Sequence, residues 1–402
     1  MPRRHPGTPR LLRQLNDRAA LELLLSRGPL TRAELGEHTG LSKVTSGQLL
    51  ARLEDRGLVE VSGERPGGRG PNAALYTVVP SSAYVAGLDV RPDSVTAGVA
   101  DITGKITTGV AVDPRDTGDP VKTVHGAVLR ACDAAGIGIS RLRALAIGTR
   151  GVVDPRSGDV RFSFDLPSWH AGVLADLRAT LGASVTIEND VNLAALAEHA
   201  YGVARGVDDF VLVWAGVGQG LGVMLGSRLH RGYTGGAGEI GWLPVPGEPL
   251  PVDFTAPQSG SFQRLVGTAA LIGLAAEHNI PSGPPGAAAG SPGAPYSSAD
   301  LVRTAVATGM DGFLDELARR LAIGVAAVTV VLDPGLVVLS GDVGRAGGEA
   351  LAERVEKAVA RICPSRPRVT VTEVEGNPVL RGAVTAALEQ AREEVFSSTV
   401  DI

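Results

Sequence analysis

Apolar positions in the first 60 residues recur at helical spacing. In residues 8–27 they fall at Leu11, Leu12, Leu15, Ala19, Leu23 and Leu24, and Gly28-Pro29 closes the stretch. A second helix is predicted from Thr31, where Glu34 three residues on completes a capping box, through Leu35 to Thr39-Gly40. Ser42 caps a third helix over 42–56, with Gly57 as its stop. Two short helices about a Gly-containing turn make a helix-turn-helix. In the third helix Leu49, Leu50 and Leu53, with Val44, are expected to pack inward. Lys43, Thr45, Ser46, Gln48 and Arg52 then face outward. Short hydroxyl side chains and Gly47 allow close approach to a major groove, where Gln reads adenine and Lys reaches guanine or phosphate.

From Leu58 to Val79 the pattern is strand, Gly- and Pro-rich loop, strand, as in a wing. Arg65 and Arg69 lie in the loop and suit a minor groove, although a plain linker with two arginines reads the same way. Thr31, Ser42, Lys43, Thr45, Ser46, Gln48, Arg52, Arg65 and Arg69 are the candidate DNA contacts. Arg3, Arg4, Arg10 and Arg13 can add phosphate contacts, as can any basic tail.

Beyond Tyr84 the periods alternate. Strands are expected at 84–90, 94–101, 106–112, 142–147, 184–187, 209–215, 220–225, 335–340 and 368–374. Helices are expected at 120–135, 171–181, 191–204, 261–277, 311–332, 347–362 and 378–394. Hairpins mixed with βα units imply a mixed sheet covered by helices. Residues 281–297 are low in complexity and read as an exposed insertion.

Composition sharpens this division. Of 402 residues 44% are hydrophobic and 20% charged, as in a globular protein. Residues 1–80 hold 12 Lys and Arg against 8 Asp and Glu, and the remainder 26 against 35. A basic head on an acidic body points the head at a polyanion. No apolar run approaches the ~18 residues of a membrane span, and no signal peptide follows the first arginines, so a cytoplasmic protein without membrane contact is expected. Two cysteines, Cys132 and Cys363, cannot make a disulfide framework or a multi-cysteine zinc site.

Three segments of the body concentrate candidate chemistry. Glu188-Asn189-Asp190-Val191-Asn192 sets carboxylates and an amide at a strand end opening a helix. Gly216-Val217-Gly218-Gln219-Gly220-Leu221-Gly222 alternates glycine between two strands. Gly235-Gly236-Ala237-Gly238-Glu239-Ile240-Gly241 is a glycine loop with one carboxylate. With Ile147 to Asp154, Leu166-Pro167-Ser168-Trp169 and Asp333 to Gly341, they resemble the ROK family (repressors, open reading frames and sugar kinases) from residue 84 to about 390. The head resembles that of the family's repressor branch.

The resemblance implies an α/β chain: a winged helix-turn-helix at 1–80, then a two-lobed actin-like ATPase (ribonuclease H-like) domain at 81–402. The lobes would be about 81–190 and 191–380, with the final helix packing back. It also implies that Asp190 is the base that deprotonates a sugar hydroxyl in the kinases, and that Asn189 and Glu239 bond sugar hydroxyls. From the residues alone, Asp190 reads equally as a helix N-cap.

Three departures alter what the resemblance implies. Where the family's kinases have Asp-x-Gly-Gly-Thr for ATP phosphates, this chain has Asp89-Val90-Arg91-Pro92-Asp93-Ser94, with no glycine pair and one N–H removed by proline. Sugar kinase activity is therefore not expected, and Gly218, Gly220 and Gly222 are left to shape a hairpin. The family's zinc-site His is Trp242, and residues 258–263 hold no cysteine, so no cofactor is expected. Trp242 either stacks on a ligand or fills core. The Asn before Leu-Pro-x-Trp is Asp165, which accepts but does not donate. Asp165, Asn189, Asp190, Glu239 and Trp242 are the candidate ligand contacts.

The reading is a transcription regulator, repressor by default and activator as the alternative. It would bind a double-stranded DNA operator as a homodimer or homotetramer and respond to a sugar or another metabolite. The rivals are an ATP-dependent sugar kinase with an added head and a constitutive DNA-binding protein with a dead cleft.

Overall fold

The computed structural model describes residues 9–66, 72–116, 118–163, 166, 172–253, 256, 259–280 and 297–397. The low-complexity stretch and the candidates Arg69 and Asp165 lie outside them.

The head runs α1 (Pro9–Arg27), β1 (Leu30–Thr31), α2 (Arg32–Thr39), α3 (Lys43–Asp55), β2 (Val59–Arg65) and β3 (Ala73–Val78). Its sheet order is β1-β3-β2, with β2 and β3 antiparallel, which is a winged helix-turn-helix. The caps fall where the sequence places them. Thr31 Oγ1 accepts from Glu34 N at 3.3 Å while Thr31 N donates to the Glu34 carboxylate at 2.9 Å. Gly40 takes φ 70°, a left-handed turn that glycine adopts without strain. Ser42 Oγ accepts from Thr45 N.

The buried face of α1 differs from the sequence expectation. Ala20, Leu21 and Leu24 are buried, but Leu11, Leu12 and Leu15 are about half exposed. The helix packs against α2, α3, β3 and the last helix of the chain, and its buried apolar residues all lie in its second half.

The first lobe contains β4 (Tyr84–Val90), β5 (Val95–Asp101), β6 (Ile106–Val112), α4 (Pro120–Ala135), β7 (Leu142–Thr149), the short hairpin β8 (Val152–Val153) and β9 (Val160–Phe162), α5 (Val173–Leu181) and β10 (Ser184–Asn189). Its sheet order is β10-β7-β4-β5-β6, with β4, β5 and β6 antiparallel and β7 and β10 parallel. After α6 (Asp190–Tyr201), the second lobe repeats the plan with β11 (Phe210–Ala215), β12 (Gln219–Leu225), β13 (Arg228–Leu229), α7 (Ser261–Val266), α8 (Thr268–Glu277), α9 (Ser298–Thr308), α10 (Asp311–Leu332), β14 (Leu336–Ser340), α11 (Gly341–Ile362) and β15 (Arg368–Val371). Here the order is β13-β12-β11-β14-β15, again three antiparallel strands followed by two parallel ones. Two lobes of this topology are the actin-like plan.

Three helices depart from the spacing. The expected helix 261–277 breaks into α7 and α8 at Gly267, whose extended backbone (ψ 175°) ends one helix and starts the next. The helix α9 was not anticipated beside the low-complexity stretch. α11 begins at Gly341 rather than 347 and kinks at Gly348, where φ is 54°.

The last helix, α12 (Pro378–Ser397), ties the parts together. Gly87 and Gly382 let it lie directly on its neighbours. A Cβ at Gly382 would stand 1.8 Å from Leu193 O of α6, and one at Gly87 2.7 Å from Val384 N. At its far end Val395 and Phe396 are buried. One apolar core joins head residues Leu21, Leu24, Leu49 and Leu53 to Val85 and Ile102 of the first lobe and to Leu388 and Phe396 of α12. Arg56 Nη2 donates to Val395 O at 3.0 Å across the same seam.

Candidate DNA-binding face and ligand cleft

The outward face of α3 is narrower than the sequence predicts. Lys43, Thr45 and Gln48 are exposed, as is Ser42 at the cap. Four candidates do something else. Ser46 is fully buried, with its hydroxyl donating to Ser42 O at 3.1 Å, and a Cβ at Gly36 would stand 3.0 Å from it. Ser46 is thus where α2 and α3 cross. It belongs to the inward stripe 46-49-50-53. Val44, two residues earlier and about 200° around the helix, points away and is 70% exposed. The expectation that Val44 packs inward and Ser46 outward is reversed.

Arg52 clamps α3 to α1. Its Nη2 meets Asp17 Oδ1 at 2.6 Å, and Asp17 is almost wholly buried. Thr31 is buried in its capping box. Arg65 pairs with Glu34 of α2, which anchors the wing. The Thr31 backbone N–H and hydroxyl, with Arg65, hold the Glu34 carboxyl below its ordinary range. Sequence reasoning missed Arg32. Its guanidinium passes beside Gly47, where a Cβ would meet Nη1 at 3.4 Å, so a second cation stands on the exposed side of α3.

The cleft lies between the lobes and encloses about 160 Å³. Asn189, Asp190, Glu239 and Trp242 all line it. Trp242 is therefore on the cavity wall. Asp190 sits at the junction of β10 and α6, where burial pushes its carboxyl up to about 7; Arg150 opposes the shift and Asp89 and Glu239 add to it. Burial raises Glu239 as well. A carboxyl held near neutrality can accept a proton from a ligand hydroxyl or donate one in a hydrogen bond.

The helix cap belongs to Asn189. Its Oδ1 accepts from Val191 N at 2.9 Å and Asn192 N at 3.1 Å, and its Nδ2 donates to Gly151 O at 3.0 Å. Only one amide hydrogen of Asn189 is left for a ligand. Behind it Glu188 accepts from Asn192 Nδ2 at 2.9 Å and pairs with Arg231, which lies in the loop entering from the second lobe.

The two arginines of the cavity wall, Arg91 and Arg150, were also missed as site residues. Each follows the end of an inner strand of the first sheet, and that placement was the available signal. Arg91 Nε donates to Asp89 Oδ2 at 3.1 Å, so a guanidinium occupies the turn that carries phosphate glycines in the kinases. Gly220 and Gly222 are packing positions: Cβ atoms there would stand 2.7 Å from Val191 Cγ2 and 2.6 Å from Ala195 Cβ of α6. Gly218 and Gly220 both line the cavity, and of the three a Cβ would meet open space at Gly218 alone. Cys132 and Cys363 are buried in two other cores, so the residues at Trp242 do not fit a thiolate zinc site. No helix among the described residues is long and apolar enough to cross a membrane.

A winged helix fused to two duplicated lobes that close on a carboxylate-lined cleft defines a sugar-kinase-like body carrying a DNA-binding type of head. The chain belongs to the ROK family: the ROK family model matches residues 85–389, and the MarR family model matches residues 14–70. It is 24% identical over 267 residues to the DNA-binding transcriptional dual regulator NagC of Escherichia coli K12, covering 66% of this chain and 65% of that one. It is 28% identical over 307 residues to the glucokinase of Thermotoga maritima, covering 74% and 93%. The chain thus spans just under two thirds of the length of the curated regulator. A solved ROK family transcriptional regulator, a homolog of the E. coli MLC protein, superposes with a TM-score of 0.73 over 96% of this chain and 99% of that one at 18% identity, which establishes the shared fold.

Proposed function

We propose that this chain is a cytoplasmic transcription regulator that binds duplex DNA through α3 and the wing, and a sugar or related metabolite in the cleft. The observation that carries the reading is the continuous core from head to first lobe, built on α12, which makes the sensor and the reader one mechanical body. Twofold pairing of two chains would place two heads on half-sites about one helical turn apart. Repression is the default sign, and activation fits the same geometry.

The cleft favours binding over phosphoryl transfer. Pro92 has no N–H and the Arg91 N–H is taken by Ser94 O, so neither is offered to ATP phosphates, while Asn189, Asp190 and Glu239, which would meet a sugar, line the cavity. The kinase reading draws on Asp190, whose raised pKa suits a general base. A gel shift with DNA from upstream of the chain's own gene, at low salt, tests the proposal. Retardation that is lost on Lys43→Ala with Gln48→Ala supports it, and no retardation overturns it. Coupled ATP turnover on a hexose panel, abolished by Asp190→Asn, would favour the kinase.

A further inference from the structure

Val44 is the exposed apolar residue in the first turn of α3, at 70% exposure, while every other large apolar side chain of that helix is buried in the head. It follows Lys43 directly, with Thr45 and Gln48 exposed beside it and Arg32 across Gly47. Its position in the helix is fixed. The N-terminus is capped by Ser42, whose hydroxyl bonds Thr45 Oγ1 at 2.8 Å, and Ser46 and Leu49 lock the opposite face. Val44 and Gln48 are one turn apart on one face, with about 6 Å between them along the axis.

A β-branched residue at this point is neither a favoured helix former nor covered by any described part of the chain. Flanking cations make the face attractive to a polyanion. The one apolar group that the major groove of DNA offers is the C5 methyl of thymine, and the group that matches a Gln amide is the N6/N7 edge of adenine. A separation of about 6 Å corresponds to one or two base steps of roughly 3.4 Å.

We infer that Val44 is a specificity-determining residue that packs on a thymine methyl, with Gln48 on an adenine one or two steps away, so that each site contains two A·T pairs at that spacing. The inference rests on the DNA-binding reading above and adds the base that is read and the atom that marks it. Thr45, whose hydroxyl bonds Ser42 at the cap, stands exposed beside Val44 and Gln48.

The test uses the full-length chain. Duplexes are selected from a random pool, and the tightest binder is resynthesised with deoxyuridine replacing each thymidine in turn, which deletes only the C5 methyl. One thymidine should be sensitive, with affinity falling about fourfold for the single methyl. In the Val44→Ala protein the same replacement should have little effect, and the base preference at that step should relax. Because Val44 is outside the core, the variant should melt like the parent. Methyl deletion that is neutral at every thymidine, or a penalty that persists undiminished in Val44→Ala, overturns the inference and leaves DNA binding intact. Failure to enrich any duplex overturns both.

Discussion

Asn377 Nδ2 donates to Asp89 Oδ2 at 2.8 Å, linking residues 288 positions apart. Asp89 is almost fully buried and also receives Arg91 from the cleft wall. Asn377 in turn caps α12 through Leu380 N at 3.0 Å. The helix that starts at this bond ends in the core of the head. A shift of Arg91 on ligand binding thus bears on the first turn of a rod about 30 Å long whose other end holds the reading head.

The Asn377→Asp variant isolates that bond. Aspartate keeps the cap oxygen but replaces the donor with a second carboxylate facing Asp89. Stability should fall by about 1–3 kcal/mol at neutral pH. Two carboxylates that share a site raise one folded-state pKa, so stability is present at low pH and lost as pH rises. Urea melts at pH 4 and pH 7 check this: the parent–variant gap should be wide at pH 7 and narrow at pH 4.

Phe396 bears on the other end of the rod. It is 2% exposed in the shared core. Phe396→Ala should destabilise by roughly 3–5 kcal/mol, and the loss should concentrate at the head seam. Calorimetry should show one transition in the parent and a separate, earlier head transition in the variant. A single transition shifted as a whole would mean the seam is not where head and body part.

Asp190 gives a pH signature. Its carboxyl is raised to about 7, so the native state keeps a proton that the unfolded chain releases near pH 4. Stability is full below the unfolded pKa and declines as pH climbs through that window. Asp190→Asn removes the decline. The variant should be more stable than the parent at pH 8, by on the order of a few kcal/mol, and so melt above it there and with it near pH 4. Parallel Tm profiles for the two proteins would contradict the proton-holding Asp190.

Arg52 separates folding from recognition. Removing its guanidinium leaves Asp17 buried without that partner. Arg52→Ala should cost roughly 1–3 kcal/mol, discounted because Arg52 is itself partly exposed. Below its melting range it should keep the parent's slope of log affinity against log salt. A slope lower by about one would show that Arg52 contacts a phosphate after all.

These residues show what the sequence could and could not reveal. Caps and turns were legible because they are local. Thr31, Glu34, Gly40 and Ser42 act within four residues of their partners. The glycine-rich loops and the carboxylate at 190 were legible through the family pattern, and they do meet in one cavity. The facing of α3 failed on a polar residue, since Ser46 is small enough to sit at a helix crossing and Val44 lies off the buried stripe. Arg52 looked like a free cation because Asp17 is 35 positions away. Asn189 and Asp190 are adjacent, and only the backbone turn decides which of them caps α6. The link between Asp89 and Asn377 has no local signature at all.

The most direct measurement is DNA affinity by fluorescence anisotropy on a selected duplex, with and without a sugar or metabolite that raises the Tm of the full-length chain. Because Arg91 of the cleft wall reaches the first turn of α12 through Asp89 and Asn377, and α12 ends in the head core, saturating ligand should change DNA affinity by at least about fivefold, and Asn377→Asp should shrink that change while leaving ligand affinity in place. A ligand that saturates the cleft and leaves DNA affinity unchanged would contradict the account.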